Sequence, residues 1–254
     1  METALVQSAL IWENPEENRR HFANLLGPLA GTVDLIVLPE MFTTGFTMKP
    51  QNIPAEEGQR TLEWMLEQAF LANAAVTGST VVPEGGRYYN RLVFAMPDGS
   101  YQLYDKRHTF TLAGEDGVYT RGTERLQVNF RGFAICPLIC YDLRFPVWSR
   151  NTDGYDVLIY VANWPSPRVS AWDSLLQARA IENMAYVLGV NRVGSDPNNL
   201  TYSGHTAAYD SLGNRMAFSK GEEILRVSLS KSHLQTTRDS LRFLQDQDRF
   251  TLEL

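Results

Sequence analysis

The chain has 254 residues, of which 44% are hydrophobic and 20% charged, a balance typical of a folded globular enzyme and not of a disordered chain. Its net charge of -6 argues against a surface that binds nucleic-acid phosphates or anionic lipid, so we expect neither nucleic acid nor a membrane as a partner. It has only two cysteines, no segment with the layout of a signal peptide, and no apolar run as long as a membrane span. These features predict a cytoplasmic protein.

The N-terminal part alternates predicted strands and helices. A strand over 5–12 is followed by Asn14 and Pro15, which suit the N-cap and the first position of a helix. The apolar run at 34–40 is typical of a strand covered on both faces, and 57–73 predicts a second helix beside the same sheet. The second helix has apolar residues at roughly helical spacing, namely Leu62, Met65, Phe70 and Leu71.

Short strands and turns dominate the rest of the chain. Gly-containing turns between apolar segments predict antiparallel hairpins. The predicted strands are 76–82, 87–96, 101–106, 126–130, 133–139, 155–162, 186–191, 204–209, 215–219 and 224–229, with one helix at 170–183. The alternation predicts an α/β domain over 1–254, with helices covering a sheet core. Periodicity alone leaves two architectures open, a four-layer α-β-β-α sandwich and a three-layer mixed sheet.

Three of the predicted strand segments end in a reactive side chain: Glu40, Lys106 and Cys140. Because residues at strand ends converge on one rim of a layered sheet, these side chains form a candidate constellation. A carboxylate can serve as the base that a thiol needs, and a lysine can stabilise an oxyanion. Glu115, on the loop after Lys106, could hold that lysine in place. The alternative for each residue is ordinary, since a free cysteine is usually a core residue and an acid or lysine at a strand end is usually solvated.

The residues around these strand ends resemble the signature blocks of the nitrilase superfamily of carbon-nitrogen hydrolases. The three main blocks are Leu-Pro-Glu at 38–40, Tyr-Asp-Lys-Arg-His at 104–108 and Ile-Cys-Tyr-Asp-Leu-Arg-Phe-Pro at 139–146. Further similar blocks lie at 162–165, 177–183, 189–194 and 209–213. Any one block is only moderately specific for the superfamily. All of them together, in family order across nearly the whole chain, are strong evidence for the resemblance.

The resemblance implies a four-layer α-β-β-α sandwich that forms a homodimer and needs no metal or organic cofactor. It maps Glu40 as the general base, Lys106 as the electrostatic stabiliser, Cys140 as the nucleophile that forms a thioester, and Glu115 as an additional catalytic glutamate. The Asn-Trp-Pro block most resembles the omega-amidases of this superfamily. The resemblance thus implies hydrolysis of the free ω-amide of a short dicarboxylic 2-oxo acid, such as 2-oxoglutaramate, to the acid and ammonia.

Several alternatives remain open within and beyond this superfamily. Other members act as deaminated-glutathione amidases, N-carbamoyl-amino-acid hydrolases or true nitrilases, and a non-catalytic scaffold member is also conceivable. A papain-like cysteine enzyme would need a histidine base, for which the chain offers His21, His108, His205 and His233.

The aromatic and cationic residues near these blocks are the candidates for substrate binding. Four aromatic residues are expected to wall the pocket, namely Phe42, Phe110, Tyr141 and Trp164. Arg168 is the candidate for holding the distal carboxylate, with Arg144 and Arg107 as further possibilities. Asp142 and Arg144 could instead form a structural pair that shapes the turn after Cys140. Cys136, within the same predicted strand, is expected to be a core residue.

Overall fold

Two six-stranded sheets stacked face to face form the centre of the computed structural model, which describes residues 1–253. Within these residues the fourteen strands are β1 (Glu2–Gln7), β2 (Leu35–Val37), β3 (Ala75–Glu84), β4 (Arg87–Ala95), β5 (Tyr101–Asp105), β6 (Val128–Phe130), β7 (Phe133–Ile139), β8 (Val157–Ala162), β9 (Tyr186–Asn191), β10 (Val193–Ser195), β11 (Thr201–Ser203), β12 (Thr206–Tyr209), β13 (Arg215–Ser219) and β14 (Glu223–Ser228). The α-helices of the same range are α1 (Pro15–Leu26), α2 (Glu57–Ala72), α3 (Pro146–Ser149), α4 (Val169–Asn183) and α5 (Lys231–Leu241).

The two sheets have similar topologies. The first has the order β14-β1-β2-β3-β4-β5 and the second β13-β12-β9-β8-β7-β6. Strands β1, β2 and β3 are parallel in the first sheet, as are β7, β8 and β9 in the second. Strand β5 also runs in the direction of β3, because each is antiparallel to β4. The carboxyl ends of β2 and β5 therefore lie at one edge of the first sheet, and those of β7 and β8 at one edge of the second.

Apolar side chains fill the space between the sheets and beneath the helices. Alternate residues of each strand point to opposite faces, so each sheet contributes one face to the centre. The inner layer includes Val37 and Phe94 of the first sheet and Ile135 of the second. The outer face of the first sheet packs against helix residues such as Phe22 of α1 and Met65 of α2.

Helix α4 covers the outer face of the second sheet. A Cβ at Gly189 of β9 would lie 2.4 Å from Leu176 Cδ1 and 2.9 Å from Trp172 Cζ2, so only glycine permits this approach of helix and strand. The layers are therefore helices, sheet, sheet and helix. This confirms the predicted α-β-β-α sandwich, and the three-layer alternative is wrong.

The structure differs from the sequence pattern at several elements. The first strand ends at Gln7, five residues before the end of the predicted 5–12 segment, and α5 lies in a polar region for which no helix was expected. Phe70 and Leu71 are 73% and 60% exposed. The face of α2 that packs against the sheet is therefore narrower than the spacing of apolar residues in the sequence predicted. Within residues 1–253, no helix is both long and apolar enough to cross a membrane.

Candidate active site

Glu40, Lys106 and Glu115 form a buried charged cluster at the edge where β2 and β5 end. The three side chains are almost completely buried. Lys106 Nζ donates to Glu40 Oε1 at 2.9 Å and to the two carboxylate oxygens of Glu115 at 3.0 and 2.9 Å. Glu115 belongs to a short 3-10 helix on the loop after β5, and this helix brings its carboxylate back to the lysine. The structure thus places one ammonium between two carboxylates.

Cys140 follows β7 at the point where the backbone leaves the sheet. Its φ is +43°, a left-handed conformation that is costly for a residue with a Cβ. A short 3-10 helix over Cys140–Arg144 begins at this residue. The first N–H groups of a helix have no acceptor within the helix, so the N–H of Tyr141 is a free donor in helix geometry. The thiol is therefore held at a sharp strand-to-helix turn.

Burial and the neighbouring carboxylates determine the protonation states. Burial alone would lower the pKa of Lys106, but the charges of Glu115 and Glu40 outweigh it and raise that pKa above the ordinary value of a lysine. Burial, followed by the charge of Glu40, raises the pKa of Cys140 well above that of an ordinary thiol. Burial likewise raises the pKa of Glu115. At neutral pH the site therefore contains an ammonium and a protonated thiol.

Two asparagines that the sequence analysis did not select hold Glu40. Asn90 Nδ2 donates to Glu40 Oε1 at 2.8 Å, and the backbone N–H of Asn163 donates to Glu40 Oε2 at 2.8 Å. Asn163 Nδ2 also donates to the main-chain oxygen of Glu40. A signal for Asn90 was present in the sequence, since asparagine is unusual in the middle of a strand and needs a partner when buried.

A cavity of about 550 Å³ opens beside the charged cluster, and both Lys106 and Cys140 line it. This volume lies within the usual range for small-molecule sites. Of the residues predicted to bind substrate, Phe110, Tyr141, Trp164 and Arg168 line this cavity.

Phe42 does not line the cavity, so its predicted place in the pocket wall is wrong. Its side chain is fully buried beneath α1 and α2. The ring centroid lies 5.4 Å from that of Phe22 and 5.6 Å from that of Trp64, so the ring belongs to the core on the outer face of the first sheet.

Two arginines on the cavity wall have no carboxylate partner among residues 1–253. The guanidinium of Arg144 lies 4.9 Å from the ring centroid of Trp164, and that of Arg168 lies 5.1 Å from the ring centroid of Phe110. Stacking on aromatic faces orients a guanidinium and leaves its N–H edge available. Arg107 is placed differently, since it donates to the backbone oxygen of Gly122 and does not line the cavity.

Asp142 is paired with residues other than Arg144, so the structural pair considered from the sequence is wrong. The Asp142 carboxylate accepts from the Tyr104 hydroxyl at 2.7 Å and from the backbone N–H of His108 and Ile139, each at 3.0 Å. It also contacts His108 Nδ1 at 2.8 Å. Asp142 thus connects the turn after β7 with the segment that carries Lys106, and Arg144 is left facing the cavity.

The histidines give no support to a papain-like site. None of the four lines the described cavity that contains Cys140. His108 is held by Asp142, His205 by Asp173, and His21 contacts Ser8. Within residues 1–253 there is also no cluster of three His, Cys, Asp or Glu side chains suited to hold a metal ion.

Comparison with known proteins agrees with this geometry. Residues 2–239 match the carbon-nitrogen hydrolase family model. The chain belongs to the carbon-nitrogen hydrolase family. The predicted superfamily is therefore confirmed, and with it a hydrolase that acts on carbon-nitrogen bonds.

Individual relatives are similar over nearly the full length. The omega-amidase YafV of Escherichia coli K12 is 42% identical over 254 residues, covering 99% of this chain and 98% of that protein. The 2-oxoglutaramate amidase of Bacillus subtilis is 32% identical and covers 95% of both proteins. A carbon-nitrogen hydrolase superfamily protein of Xanthomonas campestris, whose structure has an arsenic adduct in the active site, is 41% identical with a TM-score of 0.96 and covers 100% of this chain and 99% of that one.

Proposed function

We propose that this enzyme is an omega-amidase that hydrolyses the free ω-amide of short dicarboxylic 2-oxo acids, such as 2-oxoglutaramate, to the acid and ammonia. The observation that carries the proposal is that Cys140 shares one cavity with two arginines that have no carboxylate partner among residues 1–253. The amide would lie at the thiol while the distal carboxylate lies at Arg144 and Arg168. The full-length relatives named omega-amidase and 2-oxoglutaramate amidase support this assignment.

Acylation begins with proton transfer from Cys140 to Glu40. Because the pKa of Cys140 is raised, the thiol stays protonated until the substrate is bound, and Glu40 accepts the proton as sulfur attacks the amide carbon. The Lys106 ammonium and the backbone N–H of Tyr141 stabilise the oxyanion of the tetrahedral intermediate. Glu40 then donates its proton to the leaving nitrogen, and ammonia departs to leave a thioester on Cys140.

Deacylation uses the same carboxylate, again first as base and then as acid. Glu40 accepts a proton from water, the resulting hydroxide attacks the thioester carbon, and the second tetrahedral intermediate collapses with release of the acid. The proton returns from Glu40 to the sulfur of Cys140, which restores the resting thiol. Glu40 therefore acts alternately as base and acid, and no other proton carrier is required.

Glu115 acts by fixing the lysine and its charge. Its two oxygens accept from Lys106 Nζ, so the ammonium cannot rotate out of the site. The charge of Glu115 also contributes to the raised pKa of Lys106, which keeps the stabilising cation present through every step.

Substrate selection rests on the two arginines. A guanidinium binds a carboxylate through two parallel hydrogen bonds, and the stacked arrangement over Trp164 and Phe110 orients both cations before substrate arrives. A neutral amide of the same length would fill the cavity but would leave the arginines without an anion.

The test is an ammonia-release assay over paired substrates. We expect a 2-oxo ω-amide acid to be preferred over its analogue lacking the distal carboxylate, over carbamoyl amino acids and over nitriles. Arg168→Gln and Arg144→Gln should each raise KM for the acid by about tenfold or more and leave the weak turnover of the neutral analogue nearly unchanged. Preferential turnover of nitriles or carbamoyl amino acids would contradict the omega-amidase assignment.

We also propose a cytoplasmic homodimer that acts on small molecules, with no nucleic acid or membrane as partner. The apolar residues Val147, Phe243 and Phe250 are 49%, 58% and 43% exposed and line one surface groove, which supports an interface between copies. Both cysteines are free, as expected in a reducing compartment. Light scattering tests the dimer. The wild type should have the mass of a dimer and Phe243→Ser should dissociate more readily, whereas a monomeric wild type would contradict the proposal.

A further inference from the structure

Asn90 contacts both members of the Glu40–Lys106 ion pair. Its side chain lies in β4, is 1% exposed, and donates through Nδ2 to Glu40 Oε1 at 2.8 Å. Its main-chain oxygen accepts from the backbone N–H of Lys106 at 3.0 Å. One strand residue thus fixes the carboxylate through its side chain and the lysine through its backbone.

The amide of Asn90 completes the set of donors around Glu40. Oxygen Oε1 accepts from Asn90 and from Lys106, and Oε2 accepts from the backbone of Asn163. Of these donors only Lys106 carries a positive charge, and the two asparagine donors are neutral. The Asn90 amide and the Asn163 backbone N–H therefore fix the carboxylate in place, one on each oxygen.

The side chain of Asn90 has no other hydrogen bond within residues 1–253. Its Oδ1 is buried without a partner, an arrangement that destabilises a fold and calls for an explanation. A flipped amide would place Oδ1 against the carboxylate of Glu40, so the observed orientation follows from that contact. The strand itself is held by backbone pairing with β3 and β5, which does not need this side chain.

We infer that Asn90 is a positioning residue, whose amide holds the Glu40 carboxylate in the orientation that the base needs beside Cys140. It acts through Glu40 and does not contact the substrate, since it does not line the cavity. This inference rests on the proposed role of Glu40 as the general base. It adds a residue on an interior strand to a site otherwise built from strand ends and loops.

The test compares Asn90 with Asn151, a second buried asparagine that suits it as a control. Asn151 Oδ1 is also unpaired, and its Nδ2 donates to the backbone oxygens of Tyr155 and Asn183, away from the cavity. Asn90→Ala should lower kcat by about 10- to 100-fold with KM nearly unchanged, because a hydrogen bond to a charged group is lost. Asn151→Ala should lower the melting temperature and leave kcat unaltered.

A split between the effects on kcat and on KM separates positioning from a structural role. A loss of packing alone would lower the melting temperature, whereas loss of the Nδ2 donor should lower kcat of the folded enzyme with KM nearly unchanged. Asn90→Asp is nearly isosteric and serves if the alanine variant does not fold. It replaces the Nδ2 donor by an oxygen and should lower kcat at least as much as Asn90→Ala does.

The outcomes distinguish this inference from the proposed function. Unchanged kcat in folded Asn90 variants would overturn the role of Asn90 and leave Glu40 as the base. Full activity in Glu40→Gln would remove the base itself. A lowered kcat in folded Asn90 variants, together with an unaltered kcat in Asn151→Ala, supports the inference.

Discussion

Cys136 and Cys140 are four residues apart, yet they differ in the properties that govern thiol chemistry. Cys136 lies within β7, is 1% exposed and belongs to the core between the sheets. Cys140 follows the strand, is half-buried and faces the cavity. Burial raises the pKa of Cys136 to about 12 and also raises that of Cys140. A raised pKa is therefore common to both and does not distinguish them.

The difference lies in access and in neighbours. Cys140 packs against the same inner cluster that contains Cys136. The left-handed backbone at Cys140 ends the strand, however, and the thiol lies beside Glu40 and Lys106. A buried thiol becomes a nucleophile when a base can take its proton and a substrate can reach it, and only the second cysteine meets both conditions.

Removal of the nucleophile should lower the catalytic activity more than any other change. Cys140→Ala should lower ammonia release by about 10⁴-fold or more, since the covalent route is lost. Circular dichroism and the melting temperature should remain close to those of the wild type. Near-normal ammonia release by this folded variant would contradict the assignment of Cys140.

Alkylation provides a direct comparison of the two thiols. With iodoacetamide near pH 7.5, Cys140 should be modified at least about tenfold faster than Cys136, because its sulfur is accessible and Glu40 can accept its proton. Peptide mass spectrometry over time measures both rates in one sample. A carboxylate-bearing substrate analogue should protect Cys140, and equal rates at the two sites would remove the distinction.

The sequence contains much of this fold because local patterns determine it. The predicted segments 133–139 and 186–191 coincide with β7 and β9, since both are apolar, β-favouring runs bounded by polar residues. The edge at which Glu40, Lys106 and Cys140 meet also follows from strand ends. The roles of these residues came from the family resemblance. Their spacing alone left two alternatives open, a cysteine buried in the core and an acid or lysine exposed to solvent.

The remaining features depend on partners that are distant in the sequence. Asp142 pairs with Tyr104, 38 residues away, and no local pattern favours that hydroxyl over the nearby Arg144. Phe42 packs beneath α1 and α2 whereas Phe110, on the loop after β5, lines the cavity, and the place of Phe42 depends on helices distant from it in the sequence. Asn90 was missed because its partner lies 50 residues earlier in the chain.

The activity should depend only weakly on pH on the alkaline side of neutrality. The raised pKa of Lys106 means that its ammonium is fully present below the ordinary lysine value and is lost only as pH rises through the higher folded-state value. The thiol of Cys140 also stays protonated over this range. We therefore expect kcat/KM to change by less than about twofold between pH 7.5 and 9. A steep decline there would mean that one of these groups titrates in the working range.

Substitution of the core cysteine should have the smallest effect on catalysis. Cys136→Ala removes one buried sulfur from the layer between the sheets, which should cost about 1 kcal/mol of stability and a few degrees of melting temperature. kcat and KM should stay at wild-type values, because the cavity and its charged cluster do not include this side chain. Cys136→Ser should be less stable than Cys136→Ala, since a buried hydroxyl without a partner is unfavourable there. A large fall in kcat for folded Cys136→Ala would show that the two cysteines are functionally coupled, and the contrast drawn from their neighbours would fail.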